Sequence, residues 1–262
     1  MDISNNSYAS ITNSVIKNLF SGVDVYENSE LNFENSIMEN ITGISSAFAT
    51  YNNSKINISS STVNEINGDY AFDVFNNSNM TISDSLLENF HGQYAIDVFG
   101  DDNGYATSTL EITNSKINNG DKNGLFVYRR ANATLNNVEI SNFLWSGVYT
   151  YANPQITITD STIFNNDYGI ESYGANINIS NSTIKDNYSF GIYNSGQVTK
   201  ATNNWWGSDT GPFHTTKNAS GTANRVSNYV DFIPWLTSDP KIEKNIPVII
   251  IPGVMGTQLL KG

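Results

Sequence analysis

Two aspartates, Asp73 and Asp97, hold the same place in two copies of one five-residue stretch, Ala71-Phe72-Asp73-Val74-Phe75 and Ala95-Ile96-Asp97-Val98-Phe99. If those copies lie side by side as strands, the carboxylates sit within about 5 Å of each other. Two acids that close do not both ionise freely, so one keeps its proton to higher pH unless a cation intervenes. A protonated and an ionised carboxyl together can do acid–base work on a glycosidic bond. Arg129 and Arg130, two of the chain's three arginines, follow directly on the next copy, Gly124-Leu125-Phe126-Val127-Tyr128. Asp73, Asp97 and Arg130 are therefore the candidate catalytic set, in a charged cleft suited to a uronic acid polymer. The plainer alternative is an exposed acidic file, with the arginines neutralising Asp101 and Asp102 by surface pairing worth little each.

The same stretch ends in an aromatic residue in seven of its eight copies: Tyr26, Tyr51, Phe75, Phe99, Tyr128, Tyr151 and Tyr173. Exposed rings of this kind pack against flat sugar faces, and tyrosine adds a hydroxyl. Tyr26, Tyr51, Tyr128, Tyr149, Tyr151 and Tyr173 are accordingly the candidate carbohydrate-binding residues. If the chain bends just before these rings, they stack in a corner of the core instead.

Which way these files face depends on the element that carries them. The stretch begins in turn with Gly22, Ala47, Ala71, Ala95, Gly124, Gly147, Gly169 and Gly191. A second column, Asn13, Asn35, Ser60, Asp84, Asn114, Asn137, Asp160 and Asn181, keeps step with it at a mean period of 24 residues. Two columns with one period mark a solenoid. Each coil holds short alternating runs such as Ile156-Thr157-Ile158-Thr159, which read as strands with one buried face. No coil has room for a helix with an apolar stripe. The expected fold is therefore all-β, a single parallel β-helix of about eight coils.

Three inward columns follow. One runs Ile11, Phe33, Ile58, Ile82, Ile112, Leu135, Ile158, Ile179; the next Ile16, Met38, Val63, Leu87, Ile117, Ile140, Ile163, Ile184. The third lies on the recurring stretch: Val23, Phe48, Phe72, Ile96, Leu125, Val148, Ile170, Ile192. The outward file beside it is then Asp24, Ala49, Asp73, Asp97, Phe126, Tyr149, Glu171, Tyr193. Asn13 with its column, and a second file of Asn18, Asn40, Asn89, Asn119, Asn142 and Asn165 broken by Glu65 and Asp186, are expected to be corners, because Asn tolerates left-handed backbone.

Bulk properties narrow the partners. A net charge of −12 argues against nucleic acid or an anionic membrane surface. There is no cysteine, so disulfides and cysteine-bound zinc are excluded. No segment is long enough to span a bilayer and none reads as a signal peptide. His91 and His214 stand without paired ligands, no metal or cofactor is expected, and the loop around Asp101, Asp102 and Asn103 lacks the regular oxygen set that calcium takes. A surface of Asn, Ser, Thr and Tyr with few lysines suggests an extracellular or cell-surface protein, expected to be a monomer, whose partner is a polysaccharide or cell-surface glycan.

These repeats resemble right-handed parallel β-helix proteins of the pectate-lyase-like superfamily, over roughly residues 1–236. The most specific part is Asn203-Asn204-Trp205-Trp206-Gly207-Ser208-Asp209-Thr210-Gly211-Pro212, similar to the closing coil of bacterial and archaeal surface β-helices. Trp205, Trp206 and Trp235 are then cap residues over an end that must be covered, or a tryptophan pair for sugar. After a linker, 237–246, the segment 247–262 changes character. Its Pro-Val-Ile-Ile-Ile-Pro-Gly-Val-Met-Gly-Thr-Gln-Leu run, with Ile246 before it, resembles the first strand and oxyanion loop of α/β-hydrolases of the lecithin:cholesterol acyltransferase type. The resemblance implies an oxyanion-hole N–H at Val254, without the nucleophile that would complete it. The alternative is an added apolar strand. The expectation is a glycan-binding or spacer module beside a hydrolase not included in the chain. Alternatives are a polysaccharide lyase or glycosidase, or an adhesive repeat.

Overall fold

The computed structural model describes residues 1–43, 46–100 and 107–241. Through them the chain winds about eight times, adding one strand to each of three parallel sheets per coil. The first sheet has nine strands, from Asp2–Ile3 to Phe190–Asn194, and carries the recurring stretch. The second has ten, from Tyr8–Thr12 to Val230–Asp231, and the third eight, from Val15–Leu19 to Thr183–Lys185. No helix among the described residues is long and apolar enough to cross a membrane.

The inward columns match the expected ones residue for residue. Phe33 pairs with Ile58 in the second sheet, Met38 with Val63 in the third, and Phe72 with Ile96 in the first. All three columns are buried except Ile11 and Ile16 in the first coil, which are partly covered. A second inward residue per strand joins them, such as Val74, Met80 and Phe90. Each buried side chain contributes roughly 1.5–3 kcal/mol, but only with the next coil stacked on it.

The corners have the backbone expected of Asn. Asn13, Asn35, Asn114, Asn137 and Asn181 all have φ between 47° and 54°, and so do Ser60, Asp84 and Asp160 in the same column. The second Asn file is also left-handed throughout, including Glu65 and Asp186. The amides ladder between coils: Asn40 Nδ2 donates to Asn18 Oδ1 at 2.6 Å and Asn137 Nδ2 to Asn114 Oδ1 at 2.9 Å. A buried serine file lies next to the first corner. The backbone N–H groups of Ser36, Ser61 and Ser85 donate to the hydroxyls of Ser61, Ser85 and Ser115 at 3.0–3.1 Å. Those hydroxyls in turn donate to the carbonyls two residues earlier, as Ser61 does to Ser59 at 2.7 Å. The file thus satisfies buried backbone groups where the chain turns between sheets.

At the C-terminal end Trp206 is completely buried against the core. Trp205 extends the third sheet through its backbone, its N–H donating to Ser182 O and its carbonyl accepting from Ile184 N–H, both at 2.8 Å. Trp235 packs on the core and donates its indole N–H to Asp209 O at 3.0 Å. Gly211, with φ of 75°, lets it in: a Cβ there would meet the indole at 2.4 Å. Val254 and the hydrolase-like segment lie outside the described residues, as do Asp101, Asp102 and Asn103.

Candidate functional site

Alternation along the first sheet sets the outer face. Phe72 and Val74 point into the core, so Asp73 points out, and the same holds for Asp97 between Ile96 and Val98. Asp24, Ala49, Asp73, Asp97, Phe126, Tyr149, Glu171 and Tyr193 form one file in direct register. The acids are nevertheless half-buried. Tyr70 and Tyr94 precede them on their strands, stacked at 6.0 Å, while Phe75 and Phe99 follow. Phe126 takes the next place in the file and stacks on Tyr94 at 4.5 Å.

Burial among these rings disfavours the ionised acids. It pushes Asp73 up to about 6, helped by the charge of Asp24. It pushes Asp97 up to about 8, helped by Asp73. One carboxylate oxygen of Asp97 is buried without a hydrogen-bond partner. Two neighbouring acids that hold a proton near neutral pH could donate and accept in turn.

Arg130 stands elsewhere. It and Arg129 occupy the corner after the first sheet, where other coils carry left-handed pairs such as Asn52-Asn53 and Asn76-Asn77. Arg130 is exposed, and among the described residues no ion pair joins it to Asp73 or Asp97. The guanidinium of Arg129 lies over Phe99 and Tyr128, at 5.1 and 4.7 Å. His91 is not alone either: its ring lies between Glu65 at 3.4 Å and Asp121 at 3.5 Å.

The aromatic file forms a half-exposed ribbon. Tyr26 stacks on Tyr51 at 5.1 Å and Tyr51 on Phe75 at 4.9 Å. Phe99, Tyr128 and Tyr151 continue it at 5.4 and 5.7 Å. Neighbouring rings cover one another's faces, leaving edges and hydroxyls toward solvent, with Tyr151 the most open at 49%.

A second set of rings lies in a place the motif does not mark. An aromatic residue precedes the small residue in four copies: Tyr70, Tyr94, Tyr168 and Phe190. Tyr70 stacks with Tyr94, and Tyr168 with Phe190 at 5.9 Å. The two coils between these pairs carry Asn123 and Ser146 instead. There the face opens into a cleft of about 220 Å³ lined by Tyr94, Asn123, Trp145, Tyr149 and Glu171. Trp145 is 54% exposed, and Lys122 Nζ lies over its ring at 5.3 Å. Two hydroxyls hold Glu171, one on each carboxylate oxygen: Ser146 Oγ donates to Oε2 at 2.7 Å and Tyr173 OH to Oε1 at 2.9 Å. Burial and that bond to Glu171 push the Tyr173 phenol up, so it stays a donor. The arrangement offers stacking surfaces around a fixed hydrogen-bond acceptor, the usual equipment for orienting a polyhydroxylated ring.

Comparison with protein families finds a model described as right handed beta helix region, matching residues 46–206. Comparison with curated proteins and with solved structures finds no significant match.

Proposed function

The chain belongs to the right-handed β-helix family, and from that premise we propose that it is a glycan-binding module whose ligand lies along the outer face of the first sheet. The observation that carries this reading is the cleft in which Tyr94, Trp145 and Tyr149 surround a pre-oriented Glu171. An acidic surface poor in lysine and rich in Asn, Ser and Thr supports a place outside the cell or on its surface. There the rod would also act as a rigid spacer beside a lipase-like hydrolase domain, whose start the sequence of 247–262 resembles. A glycan array probed with the chain is expected to give binding that Trp145→Ala weakens about tenfold or more, the loss of one stacked ring. Equal signals from the two proteins would remove the cleft from the proposal.

The raised pKa values of the neighbouring acids Asp73 and Asp97 favour a second reading, a lyase or glycosidase acting through this pair. Here uronic and neutral polysaccharides would be cleaved, and Asp73→Asn and Asp97→Asn would each lower the rate at least about a hundredfold, the share of one acid or base. Cleavage that survives both substitutions would exclude these residues as the acid–base pair.

A further inference from the structure

The charge class of the sugar can also be read from this face, an inference that rests on the glycan-binding proposal. Glu171 uses the protons of both hydroxyls that touch it, so neither Ser146 nor Tyr173 has one left for a ligand anion. The file that Glu171 belongs to carries Asp97, Asp73 and Asp24 and neither lysine nor arginine. Of the cations near it, Lys122 lies over Trp145 and Arg129 over Phe99 and Tyr128, while Arg130 is exposed in the corner beyond Tyr128. A uronate polymer lying along this face would set its carboxylates against Glu171, which is repulsive, and would meet protonated acids rather than cations in the rest of the file. A protonated amino sugar meets the opposite surroundings. Its apolar ring face packs on the aromatic walls, and its ammonium has a fixed carboxylate to donate to. Lys122 already shows that the Trp145 indole accepts an ammonium over its ring.

We infer that the ligand is a polymer of cationic amino sugar, seated with a ring against Trp145 and Tyr149 and an ammonium on Glu171. Asp97 and Asp73 extend the same preference along the polymer. Burial holds protons on them in the free protein, and an ammonium arriving nearby would favour their release.

Isothermal titration of the full chain tests this with three oligomers: fully deacetylated glucosamine hexamer, its N-acetylated counterpart, and hexagalacturonate. At about pH 6, where the amine is protonated, the deacetylated hexamer is expected to bind about tenfold tighter than the acetylated one or better, the scale of a charge-assisted hydrogen bond. Hexagalacturonate is expected to give no binding. Glu171→Gln keeps the shape of the side chain and should erase the difference between the two hexamers. Lys122→Ala removes the ammonium over Trp145 and should strengthen binding of the deacetylated hexamer by vacating the indole. Equal affinities for the hexamers, a preference for hexagalacturonate, or weaker binding by Lys122→Ala would overturn the cationic assignment while array binding leaves the glycan-binding proposal standing. Failure to bind any glycan on the array would overturn both.

Discussion

The melting temperature of the chain is expected to fall as pH rises from about 4 to about 8, and Asp97→Asn is expected to remove most of that fall. The cause is the pair of half-buried acids. Both have an ordinary value of 3.8, and the fold holds Asp73 at about 6 and Asp97 at about 8. On unfolding they would lose their protons near the ordinary value, so between these limits the folded state binds more protons than the unfolded one. Stability is then fully present below 3.8 and is lost as pH climbs through 6 and on to 8. One unit of displacement corresponds to about 1.4 kcal/mol, which puts the loss on the order of 3 kcal/mol or more for the pair titrating as a unit. For a chain of this size each kcal/mol moves the midpoint by roughly 2–4 °C. Asn at position 97 has the same shape and no charge, and it also relieves Asp73. Melts in steps from pH 4 to 9 should therefore separate the two proteins only at the alkaline end, with the variant more stable by about 5–10 °C. A flat profile for the original chain, or a variant that follows it at every pH, would show that the two acids are solvated like any others.

The largest single loss of stability is expected from Trp206→Ala. Trp206 is among the largest side chains buried completely, and it sits where the stack of coils ends. Replacing a buried tryptophan by alanine costs about 3–5 kcal/mol, part transfer and part cavity. In a solenoid the effect has a direction, because each coil is supported mainly by its neighbours. Amide exchange should therefore accelerate first in the strands Phe190–Asn194, Thr183–Lys185 and Asn176–Ser180 and leave Leu86–Phe90 close to its original protection. Uniform acceleration along the rod would mean that the end does not unravel separately.

Much of this fold was legible because the sequence repeats. A column of apolar residues seen eight times at one spacing identifies its own buried face, and every member of the three columns fell into register as expected. The corners were equally legible, since Asn, Asp and Ser share a tolerance for left-handed backbone, and the structure keeps that backbone even at Glu65. The serine file was harder to see. Its members, Ser36, Ser61, Ser85 and Ser115, look like ordinary surface residues in sequence and are buried only because the chain turns beside them. Arg130 is grouped with the acids only by its place after the next copy of the stretch, and the corner backbone that carries it away from them has no signature in an Arg-Arg pair. The cleft was the least visible part. It exists because Asn123 and Ser146 are small where Tyr94 and Tyr168 are large, and a search for recurring residues finds what is present in a column rather than what is missing from it. Trp145, in the connection between the third and first sheets, belongs to no column at all.

The direct register of the first sheet has a consequence for any polymer bound to it. Groups on the outer face fall on a lattice whose pitch is the strand spacing, about 4.8 Å. A ligand with its own repeat stays in step with that lattice only over a limited run, as the two scales of a vernier do. Added coils would therefore lengthen the reach of the rod without adding contacts in proportion. The number of sugar units held at once is set by the mismatch between the two pitches; a polymer commensurate with the lattice would be pinned in register, because all its contacts break together, and one that is not would slide from coil to coil more readily.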